Sequence, residues 1–329
     1  MKHFNAKLLG SFMIAGLVCI AFGAKHNSKV NDIRKHDFLY AGEWDTRNVM
    51  QTMKIVRDGK IVWTYSIPLH LPNGGIQEFD DATLLPSGNV IFSHMSGASM
   101  VNPANQIVWD YPAPPHSEVH SIQCIGKDRV LIMQNGFPSK AIIIDTAKNE
   151  VLKEIVIPTT VTGTHGMFRH VRMTRAGTIL VPHLGEGKVV EYDMNGNELW
   201  SVKAPSPWQA IRLKNGNTLI AGDWSRYARE VNPKGETVWE FTQKDVPGMN
   251  LGNIQTADRL ANGNTILTMW IAGDNNTKDW PGTVQVLEVT RRKKIVWELS
   301  SWQDPDLGPA TSIQLLDQKG SVENMDFDR

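Results

Sequence analysis

The residues of this 329-residue chain with chemical capacity are histidines, an arginine and several tryptophans, set far apart in sequence. Thr164-His165 is followed by Arg169-His170 and then by His183. Imidazole can serve as nucleophile or general base, and a guanidinium can hold an anionic group, so His165, His183 and Arg169 form the candidate catalytic set. Asp81, His94, His120, His170, Gln209, Asp223 and Gln255 add hydrogen-bonding groups. Trp208, Trp224 and Trp270 add flat faces on which a ligand can stack. Together these imply a pocket for a small polar or anionic ligand, a carbohydrate being the foremost example. The alternative is a channel in which the same groups satisfy one another and ordered water.

Other chemistries find less support. His94, His165 and His183 lack the sequence spacing of a zinc site, so neither metal nor cofactor is expected. The run Gly273-Asp274-Asn275-Asn276-Thr277-Lys278-Asp279-Trp280-Pro281 alternates Asp and Asn but lacks the spacing and terminal glutamate of a calcium loop. It reads as a surface loop rimming the pocket. No Gly-x-Ser-x-Gly nucleophile elbow occurs. Cys124 lies in an apolar stretch and reads as a buried hydrophobe.

A repeat must position these residues. A turn followed by two apolar residues and Trp recurs as Arg57-Asp58-Gly59-Lys60-Ile61-Val62-Trp63, and again ahead of Trp109, Trp200, Trp239 and Trp297. A sixth copy carries Leu152 in the Trp position. A second block, Leu84-Leu85-Pro86-Ser87-Gly88-Asn89-Val90-Ile91, returns as Leu213-Lys214-Asn215-Gly216-Asn217-Thr218-Leu219-Ile220 and as Leu260-Ala261-Asn262-Gly263-Asn264-Thr265-Ile266. Gly and Asn between β-branched runs mark hairpins, because they tolerate the positive φ of tight turns. Each unit therefore reads as four antiparallel strands, the blade of a six-bladed, all-β propeller spanning residues 36–320.

The ends fit the same scheme. The run Phe38-Leu39-Tyr40-Ala41-Gly42-Glu43-Trp44 matches a second strand, so the N-terminal blade lacks its innermost strand. The run Thr311-Ser312-Ile313-Gln314-Leu315-Leu316 is a first strand with no blade after it, and should close the ring by completing that blade. The repeated Trp residues read as packing between blades. Alignment places Asp81, Ser121, Arg169, Gln209, Thr256 and Ser312 at equivalent starts of first strands, beside Asp80, His120, Phe168, Trp208 and Gln255. The second strands end near Glu43, His94, Gln134 or Asn135, His183, Asp223 and Trp270. Both rows fall on one face, opposite the tight turns, and variable loops on a rigid scaffold are where binding resides.

Composition bounds the partners. Lys plus Arg and Asp plus Glu both number 34, with no basic cluster, which argues against a nucleic-acid binder. Residues 1–24 read as a signal peptide: a basic start, an apolar run over 8–22 and small residues at Gly23-Ala24. The weaker alternative is a lipoprotein signal at Cys19, where Val18 stands in place of a small residue. The expectation is an exported, periplasmic or extracellular monomer with no membrane span after cleavage, a linker at 25–35 and a frayed tail at 321–329.

The combination Leu-x-Asn-Gly-Asn-Thr-Leu-Ile and Arg229-Glu230-Val231-Asn232-Pro233-Lys234-Gly235-Glu236-Thr237-Val238-Trp239 resembles the repeats of arylsulfate sulfotransferase-type propellers and of the wider quinoprotein-like group. The resemblance implies six blades, a periplasmic location and a channel histidine that transiently accepts sulfate, helped by other histidines and an arginine. It places His165 and His183 among the helpers, with Pro182 where the arginine would fall. Phe79-Asp80-Asp81 stands where paired histidines precede Asp, so the acceptor has no counterpart. The readings are thus a binding propeller, a divergent sulfotransferase-like or lyase or hydrolase enzyme, and a platform for protein partners.

Overall fold

The inner turns show why the repeat folds as it does. In blade two Gly88 N–H donates to Leu85 O and Leu85 N–H to Asn89 O, and blades five and six repeat this at Leu213–Asn217 and Leu260–Asn264. Gly88, Gly216 and Gly263 have φ of 85–88°, the left-handed region that a three-residue hairpin loop requires at this position and that a Cβ would strain. The computed structural model describes residues 31–273 and 276–325, and its strands among these are numbered β1–β24.

Six four-stranded antiparallel sheets form the blades of a propeller, as the repeat predicts. Blade one holds β1 (Phe38–Ala41), β2 (Met50–Arg57) and β3 (Lys60–Pro68). Blade two holds β4 (Ala82–Leu84), β5 (Val90–His94), β6 (Gly97–Val101) and β7 (Ile107–Pro112). Blade three holds β8 (Glu118–Gly126), β9 (Arg129–Asn135), β10 (Lys140–Asp145) and β11 (Glu150–Val156). Blade four begins with β12 (Arg172–Met173) and β13 (Ile179–His183), blade five with β16 (Pro207–Arg212) and β17 (Thr218–Gly222). Blade six begins with β20 (Asn253–Arg259) and β21 (Thr265–Trp270).

The last strand, β24 (Ser312–Leu315), pairs with β1 from Phe38↔Leu315 to Ala41↔Ser312. It supplies the missing innermost strand and closes the ring. Among the described residues, no helix is long and apolar enough to cross a membrane.

Apolar clusters fill the gaps between blades, and the repeated tryptophans extend them outward. Trp109 Nε1–H donates to Asn149, Trp200 to Pro233 O, Trp239 to Arg291 O and Trp297 to Asp32 O, each reaching the following blade or, from blade six, the entering chain. Nearer the axis, first-strand side chains hold the backbone of the next blade. Gln314 bonds both N and O of Leu84, Asp81 accepts from Ile122 N–H, Gln123 from Met173 N–H, and Gln209 from Ala257 N–H. Such bonds fix blade spacing where apolar packing alone would allow sliding.

The two ends of the chain are held to the ring. Asn31 exchanges hydrogen bonds with Ser300, and residues 33–35 form a 3-10 turn, so the described part of the expected linker lies along blade six. Residues 322–324 form another such turn, and Val322 packs against the apolar cluster between blades two and three. This segment belongs to the stretch expected to fray. The expected signal peptide and residues 326–329 lie outside the described residues.

Candidate functional site

Register builds the site. In blades three, five and six the start of the first strand carries a one-residue bulge, falling at His120, Trp208 and Gln255. A bulge turns its side chain out of the pleat, here toward the channel mouth. Blade four shows the same insertion: Phe168 bridges His183 while Arg172 pairs with Leu180, so one extra residue lies between. His170 bridges Gln209 across the blades, which places it in the row of Gln209 and places Arg169 in the row of Trp208. The sequence alignment therefore set blade four one position off: Asp81, Gln209 and Thr256 stand at one fixed spacing before Gly88, Gly216 and Gly263, and the same spacing before Gly177 gives His170 rather than Arg169.

The correction yields two rings. The outer one comprises Asp80, His120, Arg169, Trp208, Gln255 and Thr311, all buried. The ring beneath comprises Asp81, Ser121, His170, Gln209, Thr256 and Ser312, also buried.

Acids surround the outer ring. His120 Nδ1 lies 3.1 Å from Asp80 Oδ2 and 3.4 Å from Glu78 Oε2, and its Nε2 lies 2.8 Å from Glu118 Oε2. Burial and Arg169 oppose the charged imidazole, but Asp80 and Glu118 outweigh them and hold its pKa well above the usual histidine range. Glu118 also takes His165 Nδ1 at 3.2 Å, while Arg169 lies 3.2 Å from His165 Nε2. A guanidinium only donates, so His165 Nε2 accepts and Nδ1 carries the hydrogen given to Glu118. Arg169 also stacks 4.5 Å above Trp208.

Across the mouth, Gln255 donates to Glu43 at 3.2 Å and Trp44 Nε1–H donates to Glu78 at 2.7 Å. Burial, then the neighbouring Glu78 and Asp80, push the Glu43 carboxyl well above its ordinary pKa. Burial lifts Asp80 to about 6 and Asp223 to about 7. Glu43 Oε2, Asp80 Oδ1, both oxygens of Asp223, Gln255 Oε1, Arg169 Nε and the indole nitrogens of Trp208 and Trp270 are buried with no hydrogen-bond partner among the described residues. Orphaned groups of this kind are costly, and their concentration at one end of the channel marks a place built to meet something else.

Beside the mouth, between blades five and six, lies a cavity of about 560 Å³ walled by Trp224, Trp270 and Trp280, with Arg226, Asn253 and Asp279 at its edges. Trp224 is 61% exposed, and Trp270 packs edge-on against Trp44 at 5.7 Å. The insertion after Gly273 supplies Asp279 and Trp280 to this wall, while Asp274 and Asn275 lie outside the described residues.

Several expected site residues stand apart. His183 is buried with Nδ1 3.2 Å from Glu186 and Nε2 3.0 Å from the Tyr192 hydroxyl, and burial lowers its pKa to about 4. Both ring nitrogens are committed, so it has none to offer beside His165 and Arg169. His94 likewise rests between Ser96 and Ser99, each at 3.0 Å, its pKa lowered by burial to about 4. Asp81 pairs with Arg172 at 2.8 Å, and Gln209 clamps Ala257 and Asp258; both are structural. His170 is buried in the lower ring with its pKa lowered by burial to about 3. The reading from residue types missed Glu78, Glu118 and Trp44. The run Gln77-Glu78-Phe79-Asp80-Asp81, acidic between apolar strands, was the available signal.

No family model matches the chain, and no curated protein matches it. Among solved structures, a protein of unknown function from Bacteroides caccae is similar, with a TM-score of 0.72 and 24% identity over 84% of this chain and 97% of that one. Virginiamycin B lyase from Staphylococcus aureus, solved with quinupristin, superposes with a TM-score of 0.52 at 16% identity over 82% of this chain and 86% of that one. The WD40 propeller domain of Doa1 gives 0.50 at 16% identity, covering 72% and 73% of the two chains. At these identities the likeness establishes the propeller fold alone.

Proposed function

We propose that the protein is an exported binding propeller whose open face takes a small, hydroxyl-rich ligand, neutral or cationic, with a carbohydrate as the best fit. The observation that carries this is the concentration of orphaned acceptors and indole N–H groups beside a cavity walled by three tryptophans. Sugar hydroxyls donate to carboxylates and amide oxygens and accept from indole nitrogen, while the C–H face of a pyranose lies against an aromatic ring. Charge narrows the ligand further. Glu78, Asp80 and Glu118 gather around Arg169 and His120, while burial holds Glu43 and Asp223 toward their neutral forms, so the mouth offers no net positive charge to an anion such as an aryl sulfate.

Calorimetry and thermal shift against neutral oligosaccharides, amino sugars, uronic acids and aryl sulfates, all in chelator, test the reading. Neutral or amino sugars should stabilise the protein, and Trp224→Ala combined with Trp270→Ala should abolish the effect. Stabilisation by the anionic compounds alone, or by none, would overturn it.

A catalytic reading, sulfotransferase-like, lyase or hydrolase, has one observation in its favour. His165 is half exposed and Glu118 holds its Nδ1, the orientation of a general base, but Arg169 occupies the Nε2 lone pair, so a substrate must draw the guanidinium away before His165 can take a proton. Turnover of any bound sugar or ester that disappears in His165→Ala, with binding retained, would establish it over simple binding.

A further inference from the structure

We propose that the channel mouth holds one hard divalent cation of the calcium kind on oxygens of Glu43, Glu78, Asp80 and Gln255. This goes beyond the carbohydrate reading and stands without it, since none of the three tryptophans of the cavity wall is needed.

Three features carry the proposal. The first is spacing. Glu43, Glu78 and Asp80 each offer a carboxylate oxygen, and these oxygens lie within 4.8 Å of one another. Oxygens that share a calcium ion at about 2.3–2.6 Å lie no more than about 5 Å apart, so one ion can reach all three. Glu43 follows β1 in blade one, and Glu78 and Asp80 lead into β4 in blade two, so the three meet where two neighbouring blades open on the mouth.

The second is the fourth donor. Gln255 is buried and tied to Glu43 through its amide nitrogen, and its Oε1 has no donor among the described residues. A neutral amide oxygen on the side chain that holds Glu43 suits a hard cation, which takes carboxylate, amide and water oxygens together.

The third is charge. Glu43, Glu78, Asp80 and Glu118 carry four negative charges when ionised. Arg169 returns one, and His120, with each ring nitrogen on a carboxylate, returns another. With Asp223 set against Arg226 and so outside this count, the excess left on these six groups equals that of one divalent ion. His120 and Glu118 then serve as the outer support that orients ligands. Trp44, donating to Glu78, occupies the same outer position.

Terbium is the probe, because it takes calcium sites and is sensitised by nearby tryptophan. The chelator-treated protein should show saturable terbium emission displaced by calcium, and a Tm raised by several degrees at saturating calcium. Both should vanish in Glu43→Gln and Asp80→Asn, while Gln255→Leu should weaken calcium by about tenfold without leaving a buried charge. If emission and Tm do not respond and Glu43→Gln melts above the wild type in chelator, the carboxylates share protons instead and the proposal fails. Should Glu43→Gln and Asp80→Asn fail to fold, the wild-type titration and Gln255→Leu decide: unchanged affinity in Gln255→Leu overturns the site. No sugar is present in this titration, so its failure leaves the carbohydrate reading untouched.

Discussion

The two rings of channel residues differ in what their polar atoms do. In the outer ring Asp80, Arg169, Trp208, Gln255 and Thr311 each keep a buried atom without a protein partner; in the lower ring only His170 does. One position along the strand separates them, yet the lower ring is used up in holding blades together through Asp81–Arg172 and Gln209–Ala257. The contrast teaches that a buried polar residue in a channel is informative only once its partners are counted. A satisfied ring is mortar, and an unsatisfied one keeps polar atoms in reserve.

The sharpest test of this contrast is to break the lower ring. Arg172→Met strands the buried Asp81 carboxylate and should cost about 3–5 kcal/mol in denaturant unfolding. A loss below about 1 kcal/mol would erase the distinction. The outer ring's neighbour should respond with the opposite sign. Asp223 has its folded pKa raised to about 7 by burial, so its ionisation opposes folding, and the stability it subtracts grows as pH rises from the unfolded value through the folded one. Asp223→Asn should therefore gain on the order of 2–4 kcal/mol at pH 8 and nothing below pH 4, measured by unfolding at both pH values.

A smaller effect sits far from either ring. His36 bridges Glu288 at 3.2 Å and Asp317 at 2.8 Å, next to the closing strand. Burial lowers its pKa, but the two acids more than offset this and raise it overall. Its contribution is thus full below pH 6.5 and lost as pH rises through the folded value. His36→Gln should cost about 1 kcal/mol at pH 5.5 and less at pH 9, seen as converging Tm values. The smallest change in stability belongs to the exposed rim. Trp224→Ala should alter unfolding by less than about 0.5 kcal/mol, while calorimetry shows sugar affinity falling.

The architecture was legible in residue types because each blade repeats the same hairpin chemistry. Gly88, Gly216 and Gly263 announce the inner turns, Trp109, Trp239 and Trp297 the outer strands, and Ser312–Leu315 the strand without a blade. The site was only half legible. Trp208, Gln255 and Asp223 were found because they occupy repeat positions, whereas Glu78 and Glu118 stand two residues before Asp80 and His120, outside the rows that the repeat defines. His183 misled because a histidine at a strand end is as apt to be tied to Glu186 and Tyr192 as to face a ligand. The place of Arg169 in the mouth was legible too, since the spacing from Gly177 matches that from Gly216 to Trp208 and from Gly263 to Gln255, whereas the bulge that turns all three side chains into the mouth is a backbone event with no residue signature.

Strand β24 has a consequence in the order of synthesis. Twenty-three strands emerge before it, and throughout that time blade one presents β1 as an open inner edge. Thr311, the sixth member of the outer ring, enters with β24, as its N–H bonds Ala41 O. Completion of the mouth and completion of the ring are thus the same event, and a nascent chain halted before residue 310 would already carry Glu43 and Trp44 of blade one at the mouth but lack the inner strand that seats Thr311 beside them.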